Sequence, residues 1–307
     1  MTDESQPRNG LVGRPKIRIA YIISAYQRAG PLIRLVRRLN SPDHGFFIHY
    51  DLRSSESEFA AIAAGLRDLP NVTLLERHQC YWGDFGHVLA SLKGIEAMAK
   101  QGFVYDYAIV LTAQDYPIKS DAQIRERLAE TSGGSFMEAN PWPIPTWEKG
   151  RAIKRIENFH LHLPFPRWAR SLGWPAIRQH VAIPMKRKIP GGLHPYFGCS
   201  YWYLHRSCLV YLHEYVARHP ECVRFFKHVL IPDECFFQTI VMNSELAPSV
   251  TRRTLTSVDW RPPWPGIMTM DDLPRLRQSD CLLARKFDET VDGKVLDQLD
   301  AVNQAVA

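Results

Sequence analysis

The sequence predicts an α/β domain built on a mostly parallel central sheet flanked by helices. Two observations predict it: short, near-continuous apolar runs, and stretches of helical period that alternate with them. The first run, IRIAYIIS from Ile17 to Ser24, has the composition of a strand buried on both faces. Leu32, Leu35, Val36 and Leu39 follow at helical spacing. Phe46 to His49 predicts a second strand that ends at Asp51, and Glu56 to Leu66 a second helix. Val72 to Leu75 reads as a third strand. Val88, Leu92, Ile95 and Ala99 then recur on one face of a long helix. Tyr107 to Leu111 is a fourth apolar strand, closed by the polar cluster Thr112 to Asp115 and by Pro117.

The alternation breaks near Asn140. From there to Pro195 the chain is rich in proline, tryptophan and basic residues, and an irregular insert over residues 140–195, covering an acceptor groove, is expected. Regular structure resumes with a strand at Tyr201 to Leu204, a helix from Ser207 to Ala217 and another from Pro232 to Met242. The organisation expected is a flexible tail over residues 1–15 and one catalytic domain over 16–304.

Composition narrows the function classes. Apolar residues make up 45% of the 307, enough for a sizeable core. The net charge of +6 fits nucleic acid, an anionic membrane surface or a phosphate-bearing substrate. Cys80, Cys199, Cys208, Cys222, Cys235 and Cys281 lack CxxC spacing, which predicts buried thiols rather than a zinc site or a disulfide framework. The N-terminal dozen residues read as neither signal peptide nor anchor, so a cytoplasmic protein is expected. The basic run Lys186 to Lys188 is compatible with peripheral attachment at the inner membrane face.

Candidate chemistry lies at strand ends, where doubly wound sheets bind ligands. Asp51 and Asp115 sit at two such ends, although either also suits a loop or helix cap. Neither end carries a Gly-rich dinucleotide or P-loop signature. Asp233 and Glu234 follow Pro232 at a predicted helix start, which explains acids by the macrodipole but also places Glu234 as a candidate general base. Arg285 and Lys286, after an apolar stretch, could neutralise a diphosphate leaving group.

Taken in order, these segments resemble the core-2/I-branching family of glycosyltransferases, which includes peptide O-xylosyltransferases and branching N-acetylglucosaminyltransferases. The resemblance runs from IAYIISAY and FFIHYDLRS through RHQCYWG, LTAQDYPIKS, FGCSYWYLHR and LIPDECFFQTIVMNS to VDW and LLARKFD. It implies a GT-A fold and an inverting transfer from a UDP-sugar to a hydroxyl of a glycan or peptide, in cell-surface or exported glycan synthesis. It implies Glu234 as the base, Arg285 and Lys286 on the diphosphate, Asp51 and Arg77 on the nucleotide, and Trp82 and Asp115 at the donor sugar. Ser200, Asp233 and Trp260 fall on the acceptor side, with Ser200 where xylosyltransferases carry an acid. Xylose and N-acetylglucosamine both stay open as the donor sugar. No metal or other cofactor is expected, and the chain contains no Asp-x-Asp. The competing readings are a nucleotide-sugar-binding homologue without turnover and a nucleic-acid binder; the latter is disfavoured, so no nucleic-acid partner is expected.

Overall fold

Strand β1 (Ile19–Ala25) is an inner strand of the main sheet, and its side chains alternate between two cores. Ile19, Tyr21 and Ile23 face one helical layer, Ala20 and Ile22 the other, as the two-residue period of a strand requires. The computed structural model describes residues 17–145, 151–162, 180–261 and 264–304. The tail expected over 1–15 lies outside the described residues.

The chain runs through α1 (Ala29–Leu39), β2 (His44–Tyr50), α2 (Glu56–Leu66), β3 (Val72–Leu74), α3 (Gly86–Lys100) and β4 (Tyr107–Thr112). Helix α1 buries Leu32, Leu35, Val36 and Leu39 against the first core, and α3 buries Val88 and Ile95 against the second. Beyond β4 come β5 (Asp115–Pro117), α4 (Asp121–Ala129) and β6 (Ser135–Met137). A capping box of Ser120 and Gln123 starts α4.

The stretch expected to be an irregular insert holds regular elements. They are β7 (Asn140–Pro141), α5 (Arg151–Glu157), β8 (Phe159–His162), β9 (His180–Ile183) and β10 (Tyr196–Phe197). Then follow β11 (Trp202–His205), α6 (Arg206–Arg218) and α7 (Pro220–Phe226). The helix expected over Pro232 to Met242 is broken: a 3₁₀ turn covers Pro232–Glu234, Cys235 leaves helical geometry at φ −148°, and α8 covers Phe236–Met242. The last elements are β12 (Val250–Thr251), β13 (Thr256–Val258), β14 (Trp260–Arg261), β15 (Trp264–Pro265), α9 (Leu273–Gln278), β16 (Leu283–Arg285) and α10 (Glu289–Gln304).

Seven strands form the main sheet in the order β12-β6-β11-β4-β1-β2-β3. All neighbours pair in parallel except β11, which runs against β4 and β6. The mostly parallel α/β sheet is therefore as the sequence predicts. From β1 the chain builds outward to β2 and β3, then crosses to the other side of β1 for β4. That reversal opens a crevice at the carboxyl ends of β1, β2 and β4. A satellite sheet of order β13-β16-β5 stands at the same end, since β5 directly follows β4. All six cysteines are free thiols, and Cys80, Cys208, Cys222 and Cys235 are buried. Among the described residues no helix is long and apolar enough to cross a membrane.

Candidate active site

At the end of β2 the buried Asp51 is held by its neighbours. Its Oδ1 accepts the Arg53 amide at 2.8 Å, and its Oδ2 accepts the Arg53 guanidinium at 2.9 Å. Arg53 in turn lies 4.1 Å from the centre of the Tyr81 ring. Arg77 lies just beneath: its Nε donates to the Tyr50 carbonyl, Nη2 to those of Asp51 and Ser54, and Nη1 to Glu56. This guanidinium is bound into the turn that carries Asp51, and it fixes the shape of the loop at the crevice. Behind Asp51, His49, His78 and Cys80 form a group whose donor atoms lie within 4.8 Å of one another and which could hold a metal ion. Two of its ring nitrogens are already engaged, His49 Nε2 by the His78 amide and His78 Nε2 by the Gly86 carbonyl. Burial and the nearby His78 push His49 down to about 3, so its ring is neutral at ordinary pH.

At the end of β4, Asp115 and Arg285 meet because β5 and β16 pair in antiparallel register, Asp115 opposite Arg285. The fully buried Asp115 carboxylate lies 3.4 Å from Arg285 Nε and accepts the Thr112 amide at 2.6 Å. Burial pushes Asp115 up, and the Arg285 charge opposes that rise. The Arg285 guanidinium also sits 4.7 Å from the centre of the buried Tyr201 ring. Among the described residues the partly exposed Lys286 side chain has no ion-pair or hydrogen-bond partner, which leaves its charge for a ligand.

Tyr201 is followed back along the chain by Ser200, whose hydroxyl donates to Asp233 Oδ2 at 2.6 Å. The other Asp233 oxygen, Oδ1, is buried without a hydrogen-bond partner among the described residues. Next to it the Glu234 carboxylate, 31% exposed, is 3.0 Å from Arg155 Nη2. The same guanidinium donates to the carbonyls of Leu230 and Ile231. Arg155 thus clamps both the base candidate and the loop that presents it. Burial raises the Glu234 carboxyl above the ordinary carboxylate range; Arg155 lowers it, and Asp233 and Glu138 raise it again.

The loop is held under constraint. Ile231 adopts φ +52°, a left-handed conformation that costs a β-branched residue on the order of 1–3 kcal/mol. Its amide donates to the carbonyl of Gly83, the residue after Trp82, and Gly83 itself sits at φ +76°, where glycine carries no penalty. On the opposite side Gly198 donates its amide to the Glu234 carbonyl. A Cβ at Gly198 would lie 1.8 Å from the Glu138 carbonyl oxygen, so only glycine fits between these two segments.

The fold therefore joins Ser200, Asp233 and Glu234 directly, places Trp82 beside their loop, and joins Asp115 to Arg285 through the satellite sheet. Asp51 and Arg77 form a second group at the end of β2. Trp82 and Trp260 are 62% and 66% exposed, as flat surfaces for a ligand would be. Trp260 pairs in the small β14-β15 ribbon. Sequence reasoning missed Arg155, Glu138 and Gly198. Arg155 stands on a short helix inside the stretch expected to be irregular, some 80 positions from Glu234, and only a pairing signal across that gap could have found it. A shallow cavity lined by Arg127, Thr131 and Phe136 shares no residue with this site.

The family model described as Core-2/I-Branching enzyme matches residues 19–278. Xylosyltransferase 2 of Pan troglodytes and that of Homo sapiens are each 26% identical to the chain, over 97% of it and 35% of their own length. Xylosyltransferase oxt of Drosophila pseudoobscura pseudoobscura is 24% identical, over 94% of this chain and 33% of its own. The chain spans about a third of the length of these curated relatives.

Proposed function

Because the chain belongs to the Core-2/I-Branching enzyme family, we propose that it transfers a sugar from a UDP-sugar to a hydroxyl of a glycan or peptide acceptor by a single inverting displacement. The observation that carries this reading is the partly buried Glu234 carboxylate, clamped by Arg155 beside the Ser200–Asp233 pair. In the step proposed, Glu234 takes the proton as the acceptor oxygen attacks the anomeric carbon. The bond to UDP breaks on the opposite face, so one carboxylate suffices, in contrast to the two of a retaining glycosidase. Arg285 and Lys286 offset the charge that develops on the departing diphosphate, a role most useful where water is excluded. Asp51, the turn fixed by Arg77, Trp82 and Asp115 form the donor side.

Two features support independence from metal: the chain lacks Asp-x-Asp, and an adjacent pair of cations stands at the crevice. The relatives being xylosyltransferases favours xylose over N-acetylglucosamine as the donor sugar. The free thiols are in keeping with a cytoplasmic location, with peripheral association at the inner membrane face. A thermal-shift panel of UDP-xylose, UDP-N-acetylglucosamine and UDP, with and without a chelator, tests the reading. It predicts a stabilising shift with UDP and with one of the two sugar nucleotides, unchanged by chelation. A shift that vanishes with chelator overturns metal independence, and the absence of any shift overturns the donor class.

A further inference from the structure

The ribbon formed by β8 and β9 has one wholly apolar face. Its register sets Phe159 opposite Ile183 and Leu161 opposite Val181, and residues two apart on a strand share a face. Phe159 closes the base of the ribbon by stacking on His228 at 4.1 Å. The rest of the face is partly open to solvent: Leu161 is 36%, Val181 46% and Ile183 42% exposed, and Met185 beyond them 50%. A two-stranded ribbon gains little from such a face unless something covers it.

Charge identifies the cover. Lys186 and Lys188 follow at the same end and are exposed, whereas Arg187 between them is turned inward, donating to the carbonyls of Asn158, Phe225 and His228. In sequence, the whole stretch from residue 163 to 188 contains no Asp or Glu. An apolar face bordered by cations that have no ion-pair partner among the described residues matches a surface with an anionic layer above an apolar one. A second copy of the chain would bring like charges together instead.

We propose that the Leu161–Val181–Ile183–Met185 face, with Lys186 and Lys188, docks on an anionic lipid bilayer. The ribbon is continuous with the candidate site. Strand β8 starts two residues after α5, the helix that carries Arg155; Leu230 donates its amide to the Arg155 carbonyl, and His160 donates its own to that of His228. Resting on the reading of Glu234 as base, the acceptor is then a hydroxyl compound presented at the membrane surface.

The test is co-sedimentation of the full chain with phosphatidylcholine vesicles and with vesicles that also contain phosphatidylglycerol. The expected result is binding to the anionic vesicles about tenfold or more above neutral ones, falling with salt. Ile183→Glu abolishes it. Lys186→Ala with Lys188→Ala weakens it about tenfold or more and decides the matter if the first variant melts early. UDP binding, measured on the same preparations, stays unchanged in both, so loss of docking is distinguishable from failure of the donor reading. Equal binding to both vesicle types, binding indifferent to the variants, or a dimer that Ile183→Glu dissolves without any vesicle binding would overturn the proposal.

Discussion

Asp51 and Asp233 are two carboxylates at the same end of the main sheet with opposite surroundings. Both Asp51 oxygens are occupied, by the amide and guanidinium of Arg53 two residues on. One Asp233 oxygen receives the Ser200 hydroxyl, and the other is buried without a partner among the described residues. The Asp51 carboxylate is closed by its own turn, whereas Asp233 and Glu234 are held by distant segments, beside a strained Ile231, with a polar atom left over. An arrangement that keeps polar groups under-satisfied and backbone strained is one built to receive something else. On this account, damage around Asp51 changes binding, and damage around Asp233 and Glu234 changes turnover.

The largest effect is expected of Gly198→Ala. The added methyl must displace the Glu138 carbonyl 1.8 Å away and with it the Gly198–Glu234 hydrogen bond. A loss of about 3 kcal/mol in urea unfolding is expected, together with loss of turnover. Arg285→Ala comes next. It strands the fully buried Asp115 and is expected to cost about 3 kcal/mol, the low end for a broken buried pair because Nε and Oδ1 are 3.4 Å apart. Lys286→Ala, by contrast, should weaken UDP binding about tenfold with little change in stability, since its ammonium holds no partner among the described residues.

Arg155→Met sharpens the comparison through pH. Glu234 must be ionised to act as a base, so kcat/KM falls as pH drops through its pKa, which burial already raises. Removing Arg155 takes away the influence that lowers it, so the acid limb should move to higher pH while UDP binding at neutral pH holds. The same raised pKa acts on stability in the opposite direction: a raised carboxyl favours the fold at low pH, and that contribution is lost as pH rises from the ordinary carboxylate range through the raised pKa. Trp260→Ala should do least to the fold. Its exposed indole predicts a stability change within about 0.5 kcal/mol and an effect confined to acceptor KM.

The half of the molecule built from sequential β-α units was legible, because in β1, α1, β2 and β4 the apolar period and the burial agree; in α3 the face is shifted, with Val88, Ile95 and Met98 buried, Leu92 half-buried and Ala99 exposed. Asp51 and Asp115 were visible for the same reason, as polar residues that end apolar strands. What could not be read was non-local. The reversal of β11 depends on pairing with β4 and β6, and a four-residue strand carries no sign of its direction. The break at Cys235 overrides a helical pattern because the loop is fixed from outside, by Gly83 and Arg155. Arg155 itself looked like one basic residue among many until the fold brought it to Glu234.

Glu234 is proposed to remove the acceptor proton and to take no part in holding the nucleotide. Turnover and UDP affinity of Glu234→Gln, measured on one preparation, test this directly. The account predicts a fall in kcat of about 10²–10⁴-fold with UDP affinity unchanged. Wild-type turnover in that variant, or a parallel loss of UDP binding, would contradict it.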